Sequence, residues 1–270
     1  MTCKLCARLN RTNKQVDIME NKTQKNGKTK KNRMITYRNL NWLHSVWRIP
    51  SVNPFLQKYD VKTNKFNDET HIAPFPEELP MRLISLFSNK GNTVLDPFCG
   101  SGTTNYSALA LFRKTVGYDI EQKYIEQAKE RCGDRAEFYC KSSEKMDELK
   151  DESIHLTVTS PPYLHLRKYS QKKENIGNQE DPFPALMKVF EEVYRVTKPK
   201  GFFCVNVSDV IENKTMELTD FPYRVLDICK AIGFKHKATI IWDKGLSLGE
   251  WNISKRRMFF NHEYIWVLQK

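Results

Sequence analysis

From residue 91 onward the chain alternates short apolar runs with amphipathic stretches, and that alternation restricts its fold more than any other feature. Residues 92–96 (NTVLD) read as a buried strand, 103–113 as a helix, 115–119 (TVGYD) as a second strand and 120–131 as a charged helix. Strands are expected at 137–140 and at 154–159 (IHLTVT). Residues 184–197 place Leu186, Val189, Phe190, Val193 and Tyr194 on one side of a helix. A strand at 201–207 and a helix at 221–232 follow, with Gly233 as its stop. Residues 238–242 and 263–268 read as the last strands. Strands separated by helices require a mostly parallel sheet with helices on both faces, which is the α/β class. In such sheets ligands bind beyond the carboxyl ends of the strands, where the strand order reverses. Residues 41–80, with Trp42, Trp47 and several prolines, read as irregular structure with short elements.

A chain of 270 residues supports one large domain with a small appendage. No apolar run approaches the roughly 18 residues of a membrane span, and no signal segment opens the chain, so a soluble, cytoplasmic protein is expected. The formal charge is +12, and residues 1–40 hold eleven Lys or Arg against two acids, so +9 of it falls there. This segment is expected to be a basic flexible tail, with 41–270 as the folded domain. Lys and Arg at that density suit a polyanion, because they release its counterions; a solvated tail is the plainer alternative. Seven cysteines, an odd number, fit reduced thiols. Cys3 and Cys6 form a lone C-x-x-C with no second ligand pair nearby, so no metal site is expected.

The first chemical motif follows the strand NTVLD: Asp96-Pro97-Phe98-Cys99-Gly100-Ser101-Gly102-Thr103-Thr104, then a helix. Gly100 and Gly102 permit a tight turn and close approach to a ligand, and Thr103 and Thr104 are expected to cap the helix. The loop lacks the Gly-Lys-Ser/Thr ending of a P-loop and the third glycine of the dinucleotide fingerprint. A carboxylate at the strand end suits an amine-bearing ligand better than a phosphate, so Asp96 fits the amino-acid portion of S-adenosylmethionine. Asp119 ends the second strand about twenty residues on, where an acid accepts hydrogen bonds from ribose hydroxyls.

The second motif ends the fourth strand: Thr159-Ser160-Pro161-Pro162-Tyr163. Two prolines hold the chain extended and donate no backbone hydrogen bond. Ser160 adds a hydroxyl and Tyr163 a flat face for stacking. These groups suit a base flipped out of a duplex, its amino group held by acceptors and its ring against an aromatic. Hydrogen bonds from the amino group to Ser160 and the Ser160–Pro161 carbonyls favour a more tetrahedral nitrogen, able to attack a methyl group in line with its sulfonium.

Together these motifs resemble those of the amino-group DNA methyltransferases. DPFCGSGTT is similar to their cofactor motif, TSPPY to their catalytic motif and GYDI (117–120) to their ribose-binding motif. His71 to Leu79 resembles the segment that closes over the methionine side of the cofactor, which brings in Ala73 and Phe75. The likeness runs from about residue 42 to 270 and is also close at NVSDV (206–210) and IIWDK (240–244). It implies a Rossmann-like class I methyltransferase fold with a seven-stranded sheet and S-adenosylmethionine as cofactor. Ser160, Pro161, Pro162 and Tyr163 become the catalytic residues. Ala73, Phe75, Asp96, Phe98, Gly100, Ser101, Gly102, Thr103, Asp119 and Ser142 become cofactor-binding residues.

An S-P-P-Y motif is similar to the version linked to cytosine N4 methylation, as in restriction-modification systems; D-P-P-Y is more usual for adenine N6. The sequence departs from the family after the third strand, where an acid often contacts the adenine and Ser142 or Ser143 stands instead. His155 also replaces a frequent acid, and a structural role is expected for it. The spacing leaves little room for a separate target-recognition region. DNA contact is therefore assigned to 164–182 with Arg167 and Lys168, to 244–261 with Lys255, Arg256 and Arg257, and to the basic tail. The partner implied is DNA, with a restriction endonuclease acting separately. Competing readings are adenine as target, an RNA substrate, and a silent module that only binds nucleic acid.

Overall fold

The computed structural model describes residues 42–50, 59–60, 65–66, 76–162, 175–211, 217–245 and 261–270. The chain divides into Met1–His44 and Ser45–Lys270. Of the first unit only residues 42–44 are described, with a short helical turn at 42–43.

The second unit carries an eight-stranded sheet. Its strands, numbered in chain order, are β1 (Val46–Arg48), β4 (Thr93–Asp96), β5 (Lys114–Asp119), β6 (Glu137–Cys140), β7 (Ile154–Thr159), β8 (Thr197–Val207), β11 (Lys235–Asp243) and β12 (His262–Gln269). They lie in the order β1-β11-β12-β8-β7-β4-β5-β6. Only β12 runs against its neighbours; every other pairing in the sheet is parallel. Two small antiparallel pairs stand apart, β2 (Tyr59–Asp60) with β3 (Lys65–Phe66), and β9 (Val210–Ile211) with β10 (Leu218–Thr219). The helices are α1 (Glu78–Phe87), α2 (Thr103–Ala110), α3 (Gln122–Cys132), α4 (Phe183–Val196) and α5 (Phe221–Ile232).

Both faces of the sheet are buried, which is why the strands read as continuous apolar runs. Consecutive residues point to opposite faces. Val94, Leu156, Val158, Cys204, Ile265 and Val267 join Leu79, Leu83 and Ile84 of α1 and Ala108 of α2 in one core. Leu95, Phe203, Val205, Trp266 and Leu268 join Leu186, Val189, Phe190 and Val193 of α4 and Val225 of α5 in the other. Each fully buried large side chain contributes on the order of 2–3 kcal/mol of apolar transfer.

The expected elements form with shifted ends: α2 stops at Ala110, and β8 begins at Thr197 rather than at 201. Gly233 ends α5 at φ 124°. Two elements depart from the sequence reading. The sheet has eight strands, not seven, because β1 pairs in parallel with β11 (Val46 opposite Ile241). Three residues are too few to show a two-residue period, and only Trp47 of the three is buried. Tertiary bonds hold the strand: Ile241 N–H donates to Ser45 O (2.7 Å), Ile49 N–H to Asp243 O (3.0 Å) and Trp242 Nε1–H to Ile49 O (2.7 Å). The second departure is α1, which begins in a stretch read as irregular. Its Pro80 lies in the first turn, where the missing N–H has no helical partner in any case.

Candidate active site

The strand order reverses between β4 and β7, adjacent strands whose carboxyl ends carry the two motifs. Asp96 ends β4 with 2 % of its surface exposed. Its Oδ1 accepts the Thr159 hydroxyl from the end of β7 at 2.6 Å, and also the Phe98 N–H at 3.1 Å. One short bond thus ties the first motif to the residue before Ser160. Burial pushes the Asp96 carboxyl up to about 6; its hydrogen bonds oppose the rise, and the nearby Asp119 charge adds to it.

The loop after Asp96 is held mostly through its main chain. Cys99 N–H donates to Tyr118 O (2.8 Å), Gly102 N–H to Cys99 O (2.9 Å), and Gly100 N–H to Asp119 Oδ2 (3.0 Å). The other Asp119 oxygen accepts Glu121 N–H at 2.9 Å. These bonds aim the carboxylate. Gly102 sits at φ 79°, and a Cβ there would lie 2.9 Å from Ala128 Cβ. Both its backbone conformation and α3's approach require glycine. Phe98 and Ser101 are half-buried in the same turn, Phe98 against the α4 core.

Thr103 and Thr104 do not cap α2: the cap position is Gly102, without a side-chain bond, and both threonines are buried inside the first turn. The chain enters the helix straight from the left-handed glycine, which leaves no extended residue to place a capping hydroxyl. Thr103 Oγ1 instead accepts Arg131 Nη1–H at 3.2 Å. Arg131 also pairs with Glu77 and lies over the Tyr106 ring, 4.9 Å from its centre. Sequence reasoning missed this arginine, which joins α3 to the residue just before α1; nothing local in the charged helix marks it.

Of the two serines after β6, Ser143 is buried and donates to Pro97 O at 2.9 Å, bracing the loop. Ser142 is half-exposed and accepts Glu144 N–H at 3.2 Å. His155 Nδ1 accepts Thr93 N–H at 3.1 Å, joining β7 to β4, as a structural role requires. Burial and the nearby Lys198 charge lower its pKa, which keeps it neutral.

At the catalytic motif Pro161 is buried, while Ser160 and Pro162 are half-buried. Asn206 of β8 places its Nδ2 3.5 Å from Ser160 Oγ and donates to Glu263 Oε2 at 2.5 Å. Lys244 Nζ meets the other Glu263 oxygen at 3.0 Å. Asn206 lay in a stretch the sequence singled out, whereas Glu263 was read only as the start of a strand. Its signal is a lone acid inside the apolar run of β12. Ala73, Phe75, Tyr163, Arg167, Lys168, Lys255, Arg256 and Arg257 lie outside the described residues, as does the Cys3–Cys6 pair. The chain stretches holding the last five cations have their roots, Pro162 and Asn175, Gly245 and Asn261, within the description, and Lys244 N–H donates to Asn261 O at 2.7 Å.

The donor set fits S-adenosylmethionine. Two carboxylates lie beside a turn whose glycines permit close approach. This favours an ammonium and a pair of ribose hydroxyls and disfavours a phosphate. Among the described residues no helix is long and apolar enough to cross a membrane.

Comparison with known proteins bears on the family and the fold. A family model described as DNA methylase matches residues 4–130 and 154–270, and a methyltransferase-domain model matches 95–205. Type II methyltransferase M.BglI of Bacillus subtilis is 34% identical over 130 residues, 48% of this chain and 33% of that protein. DNA adenine methyltransferase YhdJ of Escherichia coli is 37% identical over 106 residues, 39% of this chain and 32% of that protein. The matched stretches thus span about a third of those relatives. A solved structure from Galdieria sulphuraria, described as a putative sarcosine dimethylglycine methyltransferase, superimposes with a TM-score of 0.51 at 12% identity, over 72% of this chain and 84% of that one. It speaks for the fold alone, which is that of the class I S-adenosylmethionine-dependent methyltransferases.

Proposed function

The chain belongs to the amino-group DNA methylase family, and from that premise we propose that it methylates an exocyclic amino group in DNA, the N4 amino group of a flipped-out cytosine. The observation that carries this reading is the 2.6 Å bond between Asp96 and Thr159, which sets the cofactor loop beside Ser160-Pro161-Pro162. S-adenosylmethionine supplies a methyl group on a positively charged sulfur, which departs with the bonding electron pair.

The chain's own residues bind and orient. Asp119 takes the ribose hydroxyls, Asp96 faces the amino-acid end, and Ser142 stands at the adenine side. Ala73 and Phe75 cover the methionine side, and Phe98, Gly100, Ser101, Gly102 and Thr103 shape the turn. Ser160 Oγ and the Ser160–Pro161 carbonyls accept the amino hydrogens, directing the nitrogen lone pair at the methyl group, and Tyr163 stacks on the ring. The nitrogen gains the methyl group and releases one proton to solvent. Positioning and electrostatics supply most of the rate. Arg167 and Lys168, in the segment that follows the carboxyl end of β7, and Lys255, Arg256 and Arg257, in the segment that follows the carboxyl end of β11, hold the phosphates together with the basic tail 1–40. A separately acting restriction endonuclease is the partner this reading implies.

Cytosine is preferred on the S-P-P-Y motif. Adenine N6 is the second reading, favoured by the likeness to a DNA adenine methyltransferase. Incubation with mixed-sequence duplex DNA and methyl-labelled S-adenosylmethionine, then nucleoside mass spectrometry, decides between them. N4-methylcytosine is expected. N6-methyladenine would move the target base, and label in RNA but not in DNA would overturn the substrate.

A further inference from the structure

Strand alternation puts four polar side chains on one face of the sheet, at its carboxyl edge. Ser160 shares the parity of Leu156 and Val158, Asn206 that of Cys204, Glu263 that of Ile265, and Lys244 that of Trp242, all of which border one core. These residues belong to β7, β8, β12 and β11 or directly follow them, in three neighbouring pairs of strands. Their contacts run in sequence: Ser160 Oγ to Asn206 Nδ2 at 3.5 Å, Asn206 Nδ2 to Glu263 Oε2 at 2.5 Å, and Glu263 Oε1 to Lys244 Nζ at 3.0 Å. Asn206 is 3 % exposed and Glu263 is 8 % exposed. A nearly buried carboxylate beside an apolar core is costly unless paired and hydrogen-bonded. The Lys244 ion pair and the carboxamide of Asn206 both help to meet that demand.

We propose that Glu263 is a positioning residue for methyl transfer: through Asn206 it sets which way the Ser160 hydroxyl points. This rests on the reading of Ser160 as a holder of the target base. A carboxylate accepts only, so Glu263 forces the nitrogen of the Asn206 amide, and not its oxygen, to face it. That nitrogen carries two hydrogens. One goes to Glu263, and the other points along the 3.5 Å path to Ser160 Oγ, a contact long enough to tighten when a base arrives. With Asn206 donating to one lone pair, Ser160 Oγ keeps the other for an amino hydrogen of the base and turns its own hydrogen away from Asn206, toward the adjoining ring nitrogen. The ring nitrogens beside the amino groups of cytosine and adenine accept such a hydrogen. On the same Watson–Crick edge the ring nitrogens of thymine (N3) and guanine (N1) carry a proton and do not. The network therefore favours cytosine and adenine, whose Watson–Crick-edge ring nitrogen is unprotonated.

A double-mutant cycle on the full chain tests this. Methyl transfer to duplex DNA at saturating S-adenosylmethionine is measured for the unmodified chain, Glu263→Gln, Ser160→Ala and the double variant. Cofactor affinity is measured separately by direct binding. Glu263→Gln should slow transfer about tenfold, the equivalent of one net hydrogen bond, with cofactor affinity within about twofold of the unmodified chain. The double variant should be no slower than Ser160→Ala alone. Rates that multiply, or a loss of cofactor affinity parallel to the loss of rate, would overturn the proposal and leave the Glu263–Lys244 pair a clamp between β11 and β12. Should Glu263→Gln not fold, Asn206→Ser enters the same cycle with the same expected and contrary outcomes. An unmodified chain that labels no DNA would remove the reading of Ser160 and this inference with it; rate losses that multiply in an active chain remove this inference alone.

Discussion

The two halves of the site are built differently. On the β4–β6 side the groups are placed mainly by the backbone: Gly100 N–H orients Asp119, Cys99 N–H reaches Tyr118 O, and a left-handed glycine starts α2. On the β7–β8–β12–β11 side they are placed by side chains reaching between strands, from Ser160 through Asn206 and Glu263 to Lys244. A backbone-built half tolerates few substitutions at its glycines. A side-chain-built half consists of residues that can be changed singly and in pairs, so the coupling between them is measurable.

The most severe break in this comparison is at the turn. Gly102→Val adds left-handed strain of roughly 1–2 kcal/mol and overpacking against Ala128 of roughly 1–3 kcal/mol. Cofactor binding should be lost and thermal stability lowered, as calorimetry and direct binding would record. Unchanged affinity would mean the turn does not shape the cofactor site.

The two halves should then separate by kinetics. Ser160→Ala is expected to lower turnover on the order of a hundredfold, the scale for one transition-state hydrogen bond, with cofactor affinity nearly intact. Asp119→Ala should do the converse and weaken the cofactor by roughly ten- to a hundredfold, since hydrogen bonds to a charged group are worth about 1.5–3 kcal/mol. Equal losses of affinity in both variants would erase the distinction.

pH sharpens it further. Burial holds the Asp96 carboxyl near 6, above its ordinary 3.8. The ligand's ammonium needs the ionised form. Affinity should therefore be full above about pH 6 and fall about tenfold per unit below it. The ligand-free fold should respond in the opposite sense. With the folded value above the unfolded one, the contribution of this group to stability is present below pH 3.8 and lost as the pH rises through about 6. Titration of affinity and of melting temperature across pH 4–7 checks both signs.

The smallest effect is expected at Arg131. Its pair with Glu77 is part-exposed, about a third open on each side chain, so screening limits its worth to under about 1 kcal/mol. Arg131→Gln should weaken cofactor affinity no more than about fivefold. A larger loss would mean that the contact with Thr103, and not the ion pair, governs the turn.

The difference between the halves also explains what could be read in advance. A motif built by the backbone must be contiguous, because each N–H it uses lies within a few residues of the next. DPFCGSGTT was therefore legible, and Asp119 with it, since the strand-end spacing of an α/β unit is set by the length of one helix. The capping role assigned to Thr103 and Thr104 was wrong because whether a threonine caps or enters a helix depends on the preceding dihedral angle, which the side-chain order alone does not reveal. The seventh-strand limit failed for a related reason: β1 is three residues long and exists only because β11 offers it an edge.

The α/β alternation, the two motifs and their order are local patterns of period, turn and spacing, and the residues alone reveal them. Long-range packing, in contrast, makes β4 and β7 neighbours, brings Asp96 to Thr159, and joins Asn206 to Glu263, 57 residues away, beside Ser160. Those contacts come from which strands pair and in what register, and pairing is settled by burial of both sheet faces across the whole domain rather than by any stretch of chain.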